Sequence, residues 1–265
     1  MKLRASCTLL FDISVATPFV LMLRPRSGAR QWVSHGELTI EPDIQLSEFT
    51  DSYGNFCQRL VAPPGPLSIY SEATVHTIGH MDREPGGPFV EVQNLPDEVL
   101  QYLLPSRYCE IEDFWQLAKD ITAEQQPGYD QVSAIEQWIR ANIHYDFNHS
   151  ESTVSASQVQ LRKSGVCRDL AHLGIALCRS LAIPARIVVG YLHRLEPMDM
   201  HAWFEAFIAG RWYTFDATQP HLRNGYIVLG IGRDAADVAL YNQFGPPIFP
   251  LRQDIQVEHI DDKPA

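Results

Sequence analysis

Residues 201–216 read HAWFEAFIAGRWYTFD, two apolar strands joined by Ala209-Gly210. A short turn of this kind closes an antiparallel hairpin. Counted from the turn, the register brings the first residues of one strand near the last residues of the other. The hairpin therefore predicts that His201, which begins the first strand, lies close to Asp216, which ends the second.

Residues 164–170 read SGVCRDL and predict the start of a helix. Gly165 permits a turn, Cys167 opens the helix, and Asp169 is expected to cap its first turn. Because a helix N-terminus and a neighbouring cation such as Arg168 favour negative charge, they favour the reactive thiolate. The buried stripe of the helix is predicted to comprise Leu170, Leu173, Leu177 and Leu181. Cys167 is a candidate nucleophile, with a small buried apolar residue as the structural alternative.

Cys167, His201 and Asp216 are predicted to be catalytic because they supply the groups of an acyl-transfer site. A thiol attacks, an imidazole takes its proton, and a carboxylate orients the imidazole. Structural alternatives are a solvated loop histidine at 201 and a carboxylate at 216 that caps the following turn, residues 217–220. Metal ligation by the three is disfavoured, since neither a fourth ligand nor short ligand spacing accompanies them.

An oxyanion hole would combine the main-chain amide of Cys167 with a second donor. Tyr145, Gln158 and Trp138 lie upstream in the sequence and are the candidates for that donor. The sequence does not choose among these three.

Other polar residues of the region are interpreted as structural. His172 lies five positions after the candidate nucleophile, a spacing that turns it away from the cysteine's face of the helix. Glu205 is expected to pair with Arg168 or Arg186. Cys178 falls near the buried stripe and is predicted to be inert.

The first part of the chain has the texture of an antiparallel β domain. Strands are predicted at residues 7–15, 19–23, 31–40, 56–62, 67–77 and 89–92, separated by Gly/Pro/Asn-rich turns. The strongest breaker, residues 84–88 (EPGGP), precedes a change to helical periodicity. We therefore predict a β-rich N-terminal domain over residues 1–95.

A mixed α+β core is predicted over residues 96–252, followed by a poorly structured acidic tail over residues 253–265. Helices are predicted at residues 96–104, 110–122, 129–143 and from 167 to 182, with a short one at 235–241. Besides the hairpin strands, residues 186–192 and 226–231 are predicted to be strands.

Composition limits the function classes. The 265 residues carry a formal net charge of −11, which disfavours nucleic-acid binding. The sequence has no run of about 20 apolar residues, so no membrane span is predicted. Asp12 interrupts the apolar stretch near the N-terminus, and a cleaved secretory signal is therefore not expected. Five cysteines without CxxC spacing favour free thiols, a reducing compartment and thus the cytoplasm, and no cofactor or metal is predicted.

Three blocks of the sequence resemble the signature blocks of the transglutaminase-like superfamily: residues 165–169 (GVCRD), 201–203 (HAW) and 212–218 (WYTFDAT). The resemblance implies a papain-like α+β core on which Cys167, His201 and Asp216 are catalytic. Residues 104–110, 171–179 and 232–238 are similar to the bacterial members, which carry a β-structured N-terminal domain. Those members are described as candidate cysteine proteases. The calcium sites of animal transglutaminases find no counterpart, so calcium activation is not implied.

The leading hypothesis is a thiol-dependent acyl-transfer enzyme that acts on peptide or glutamine side-chain amides through a thioester. Hydrolysis is favoured over transamidation, because nothing in the sequence identifies a second substrate site. The expected partners are a peptide or protein amide and, for transamidation, an amine acceptor, while the oligomeric state is left open. The alternatives are a transglutaminase that cross-links glutamine to amines, a non-catalytic binding module of the same fold, and a metal-dependent hydrolase.

Overall fold

The computed structural model describes residues 1–147 and 153–260. It combines helices with antiparallel sheets, which confirms the predicted α+β class. Six strands form in the first 77 residues: β1 (Lys2–Ile13), β2 (Thr17–Leu21), β3 (Gln31–Glu41), β4 (Ser47–Thr50), β5 (Phe56–Ala62) and β6 (Gly65–Thr77).

Helices and further strands follow from residue 97 onwards. They are α1 (Asp97–Leu100), α2 (Trp115–Ile121), α3 (Tyr129–Asn142), β7 (His144–Tyr145), α4 (Ala156–Arg162), β8 (Ser164–Gly165), α5 (Cys167–Ser180), β9 (Ala185–Leu192), β10 (His201–Ile208), β11 (Arg211–Phe215), β12 (Tyr226–Gly232), β13 (Tyr241–Gln243) and β14 (Arg252–His259). Residues 92–94 and 101–103 are short 3₁₀ turns.

The core sheet has the strand order β11-β10-β9-β12, and α5 packs on it. All eight residues of β10 are buried, as its two-sided apolar pattern predicts. The helix comes close at Gly174, where an added Cβ would lie 2.6 Å from the ring of Phe204. A side chain at position 174 would separate helix and sheet, so glycine permits this packing.

The N-terminal unit consists of two four-stranded sheets, ordered β14-β1-β6-β3 and β13-β2-β5-β4. One strand of each comes from the C-terminal part of the chain. The apolar core of the N-terminal unit also contains Tyr191, Ile227 and Leu229 from β9 and β12. The two parts of the molecule therefore share strands and buried apolar contacts.

Two side-chain amides from the N-terminal unit bind the free edge of β12. Gln31 donates to the carbonyl of Val228 and accepts from its N–H, both at 2.8 Å. Asn55 forms the same pair of bonds with Ile231, at 2.7 and 2.8 Å. These amides satisfy main-chain groups that an edge strand otherwise leaves unpaired.

Three predicted elements are wrong. Residues 253–259, placed in a poorly structured tail, belong to β14 (Arg252–His259), which pairs with β1 from Leu3↔His259 to Leu10↔Arg252. Residues 235–241 form turns and the start of β13 rather than a helix, because the end of this segment is bound to the β2 segment: the carbonyl of Leu240 accepts the N–H of Met22, and Tyr241 pairs with Leu21. Residues 89–92 form no strand; they run beside the turn before α3, where Phe89 donates to the carbonyl of Pro127.

The remaining strand and helix predictions agree with the structure apart from their ends, although α4 and the short strands β4, β7, β8 and β13 were not predicted. Within the described residues, no helix has the length and apolarity needed to cross a bilayer. Residues 261–265 of the predicted tail lie outside the described residues.

Candidate active site

Cys167 is the first residue of α5. The carboxylate of Asp169 accepts the main-chain N–H of Val166 at 3.2 Å, which is the expected cap of the first turn. An added Cβ at Gly165 would lie 2.8 Å from the side chain of Asp169, so glycine allows the chain to pass this close. Cys167 is half-buried, whereas the other four cysteines are buried and all five are free thiols.

His201 and Asp216 lie together as the hairpin predicts. The β10–β11 ladder runs from Ile208↔Arg211 to Phe204↔Phe215. Continued by three residues, the same register would set His201 opposite position 218, so Asp216 lies two residues away on the diagonal. Nε2 of His201 donates to Oδ2 of Asp216 at 2.6 Å, with 2% and 1% of the two side chains exposed.

Further hydrogen bonds fix the carboxylate of Asp216. Its Oδ1 accepts the hydroxyl and the main-chain N–H of Thr218, at 2.7 and 3.0 Å. Its Oδ2 accepts the hydroxyl of Tyr226 at 2.8 Å as well as His201. One oxygen thus caps the following turn and the other binds the imidazole, so the two interpretations of Asp216 are compatible.

The electrostatics of the pair favour a charged imidazole. Burial by itself lowers the pKa of His201, but the Asp216 carboxylate and the Cys167 sulfur raise it to about 10. Burial raises the pKa of Asp216, and the opposing effect of His201, Thr218 and Tyr226 leaves it below its usual value. Because Nε2 is bound to Asp216, Nδ1 is the ring nitrogen left for the thiol.

Tyr145 is the one candidate oxyanion donor that reaches the cysteine. It pairs with Gly165 in the two-stranded β7–β8 ladder, and its hydroxyl interacts with the thiol and the main-chain N–H of Cys167. Gln158 instead accepts the N–H of Ser155 at the start of α4. Nζ of Lys163 lies 5.3 Å from the ring centre of Trp138, and Trp138 does not line the cleft.

The remaining polar residues have structural partners. His172 is fully buried, stacks on Tyr108, and bonds through Nδ1 to the carbonyl of Val154 and through Nε2 to an amide N–H. Burial lowers its pKa to about 4. Glu205 binds Arg186 at 2.7 Å, so the second of its two predicted partners is the one found. Burial raises the pKa of the Cys178 thiol, in keeping with an inert residue.

A cleft of about 670 Å³ opens over Cys167 and His201. Part of its wall comes from the start of α5 and the β7 segment, with Phe147 51% exposed. Another part comes from the segment between Ala235 and Tyr241 and from Phe249, which is 73% exposed. Most of the described lining is apolar, and among the described residues Asp199 is its one carboxylate.

The sequence did not single out the residues that complete this site. Thr218 could have been found, since an aspartate carboxylate often accepts the main-chain N–H two residues further on. Tyr226 and the lining residues between Ala235 and Tyr241 carry no local signal, because tertiary packing alone brings them to the site. In the part of the chain that the structure describes, no group of three His, Cys, Asp or Glu side chains is arranged to hold a metal ion.

Comparison with known proteins places this site in a family. Residues 115–217 match the transglutaminase-like superfamily, and residues 14–76 match the bacterial transglutaminase-like N-terminal region. An uncharacterized protein of Mycobacterium leprae is 30% identical over 234 residues, which cover 82% of each chain. The chain belongs to the transglutaminase-like superfamily.

Two further proteins are similar to this transglutaminase-like chain. A Mycobacterium tuberculosis protein, also uncharacterized, is 28% identical over 246 residues, covering 82% of this chain and 77% of the relative. The crystal structure of a candidate cysteine protease from Cytophaga hutchinsonii superposes with a TM-score of 0.91 at 34% identity. That comparison covers 100% of this chain and 92% of the other, so it includes both β sheets of the N-terminal unit and the transglutaminase-like core.

Proposed function

We propose that this transglutaminase-like protein is a thiol-dependent acyl-transfer enzyme that cleaves amide bonds. The observation that carries the proposal is the meeting of a half-buried thiol, an imidazole and a buried carboxylate at one end of an open cleft. The 34% identical candidate cysteine protease with the same fold supports it.

The first half of the proposed reaction forms a thioester. The proton of Cys167 passes to Nδ1 of His201, which gives a thiolate beside the charged imidazole that the raised pKa of His201 favours, and the thiolate sulfur attacks the amide carbonyl carbon. The main-chain N–H of Cys167 and the hydroxyl of Tyr145 stabilise the oxyanion. The C–N bond then breaks, and the imidazolium, held by Asp216, gives its proton to the leaving amine.

The second half regenerates the thiol. Water, deprotonated by His201, attacks the thioester carbonyl, the C–S bond breaks and a carboxylic acid leaves. A primary amine in place of water would give transamidation, with peptide or glutamine side-chain amides as acyl donors. We favour hydrolysis because the cleft is open to solvent and no second substrate site is evident among the described residues.

The lining of the cleft suggests which amides fit. Two exposed aromatic rings, those of Phe147 and Phe249, line the cleft and offer contact to apolar side chains. The proposal therefore includes peptides or proteins with a bulky apolar residue beside the cleaved amide. The five free thiols suit a reducing compartment, so the cytoplasm remains the proposed location.

The test uses the full chain and peptide anilides with phenylalanine, leucine or glutamine on the acyl side. Mass spectrometry of the intact protein should detect an acyl adduct on Cys167, and Cys167→Ala should abolish both the adduct and turnover. Cys178→Ala removes a buried thiol of the same helix and should leave turnover within about threefold, since that thiol does not reach the cleft.

The results separate the enzyme from a binding module of the same fold. Wild-type protein that binds the peptides without an adduct or turnover would support the module. Alkylation of Cys167 by iodoacetamide no faster than that of free cysteine would argue the same way. Loss of turnover on chelation would instead favour a metal-dependent hydrolase.

A further inference from the structure

An ion pair on α3 lies directly behind Asp216. Glu136 and Arg140 are one helical turn apart, and Nη2 of Arg140 is 3.0 Å from Oε1 of Glu136. Glu136 is 7% exposed although it carries a carboxylate. Neither side chain lines the cleft, so neither touches a substrate directly.

Glu136 and Arg140 bind both main-chain polar groups of Asp216, its N–H and its carbonyl. Oε1 of Glu136 accepts the N–H of Asp216 at 2.9 Å. Nη2 of Arg140 donates to the carbonyl of Asp216 at 3.1 Å. The β10–β11 ladder ends one residue earlier, at Phe204↔Phe215, so strand pairing does not hold residue 216.

Burying the carboxylate of Glu136 would be unfavourable without its hydrogen bond to Asp216 and its ion pair with Arg140. Burial raises its pKa, and the N–H of Asp216 and the guanidinium of Arg140 oppose that rise. A carboxylate inside a protein is retained when it is paired and hydrogen-bonded, and the hydrogen bond and the ion pair found here are those with residues 216 and 140. The same space on α3 could hold an apolar residue, as positions 132, 135 and 139 do.

We propose that Glu136 and Arg140 are positioning residues: they fix the main chain at Asp216 so that its carboxylate orients His201 for the attack by Cys167. This inference rests on the proposed function. It makes the geometry of the candidate triad depend on a helix whose side chains never reach the substrate.

The test compares Glu136→Ala with a matched control on the same helix, Val132→Ala, which removes a fully buried side chain without touching Asp216. For each full-length variant, the melting temperature, kcat and KM on a phenylalanyl anilide, and the rate of Cys167 alkylation by iodoacetamide are measured. Glu136→Ala should lower kcat and the alkylation rate by about 10- to 100-fold with little change in KM, since small misplacements of catalytic groups have effects of this size. Val132→Ala should lower the melting temperature but keep kcat within about threefold, since it leaves those groups in place.

Two further variants keep the test decisive if Glu136→Ala folds poorly. Glu136→Gln retains a carbonyl oxygen for the N–H of Asp216 and should restore most of kcat. Arg140→Met removes the donor to the carbonyl of Asp216 and should lower kcat in the same way as Glu136→Ala.

Each outcome bears on a separate claim. Equal kcat in Glu136→Ala and Val132→Ala at equal loss of melting temperature would overturn the positioning role and leave the proposed function standing. No rescue by Glu136→Gln would also overturn it. A wild-type Cys167 that is alkylated no faster than free cysteine would overturn the proposed function together with this inference.

Discussion

Replacing Asp216 by asparagine turns one of its two carboxylate oxygens into an NH₂ donor. The hydrogen bonds around Oδ1 and Oδ2 determine which oxygen is replaced. Oδ1 of Asp216 faces the main-chain N–H of Thr218 at 3.0 Å, a donor that cannot turn away. The new NH₂ group should therefore take the place of Oδ2, where the hydroxyl of Tyr226 can rotate and accept from it. In that orientation the amide donates toward Nε2 of His201.

This donor reverses the tautomer of the imidazole. Nε2 of His201 must then accept, so the ring proton moves to Nδ1, the nitrogen that faces Cys167. A protonated Nδ1 of a neutral ring cannot take the thiol proton. We expect kcat/KM for amide cleavage to fall by about 10³- to 10⁴-fold, the size of loss that the same substitution causes in a Ser-His-Asp protease through the wrong tautomer, which corresponds to about 4–5.5 kcal/mol of activation free energy.

The assay is kcat/KM on a peptide anilide, with the melting temperature to verify folding. Asp51→Asn is a matched control because the carboxylate of Asp51 also accepts a main-chain N–H two residues on, that of Tyr53 at 2.9 Å, in the N-terminal unit. The control should keep its activity even where it loses stability. If Asp216→Asn retained more than a tenth of wild-type kcat/KM, the tautomer argument would be refuted.

Three further predictions concern stability. Because the folded-state pKa of His201 is raised to about 10, its stabilising charge is present below pH 6.5 and is lost as the pH rises through 10. The free energy of unfolding in urea should therefore fall over that range by more in the wild type than in Asp216→Asn, by a difference on the order of 3–5 kcal/mol; parallel pH profiles would contradict the ion pair. Asn55→Ala should lower the free energy of unfolding in urea by about 2–4 kcal/mol, since it leaves two main-chain groups of β12 unpaired; a loss below about 0.5 kcal/mol would show that water replaces the amide. Gly174→Ala should lower the melting temperature although alanine favours helices by about 1 kcal/mol, because its Cβ would overlap the ring of Phe204; an increase would show that the sheet yields easily.

The part of the site that follows from local geometry could be predicted from the sequence. Ala209-Gly210 fixes the register of the hairpin, and that register alone brings His201 within reach of Asp216. The start of α5 is equally local, since Cys167 follows a glycine turn and precedes a capping carboxylate. In both cases the deciding residues lie within 15 positions of each other.

Elements that depend on distant partners were missed. In β14 the two buried apolar residues are Ile255 and Val257, a weak alternation that resembles a charged tail until β1 is known to lie beside it. Residues 235–241 have helical composition, but Leu240 and Tyr241 bind the main chain of Met22 and Leu21, partners more than 200 residues away that the local sequence does not indicate. The choice among oxyanion donors likewise required the pairing of β7 with β8, which brings Tyr145 beside Cys167.

The returning C-terminal strands connect the N-terminal unit to the candidate chemistry. The cleft wall includes Tyr241 and Gln253, and these residues pair with Leu21 of β2 and Leu9 of β1. Their places in the cleft are therefore set by sheets that the first 77 residues build. A core that ended at residue 252 would lose β14 and the hydrogen bond from Gln253 to Asp199, and with them part of this wall. The N-terminal unit thus helps to shape the substrate cleft, even though all three candidate catalytic residues lie outside it.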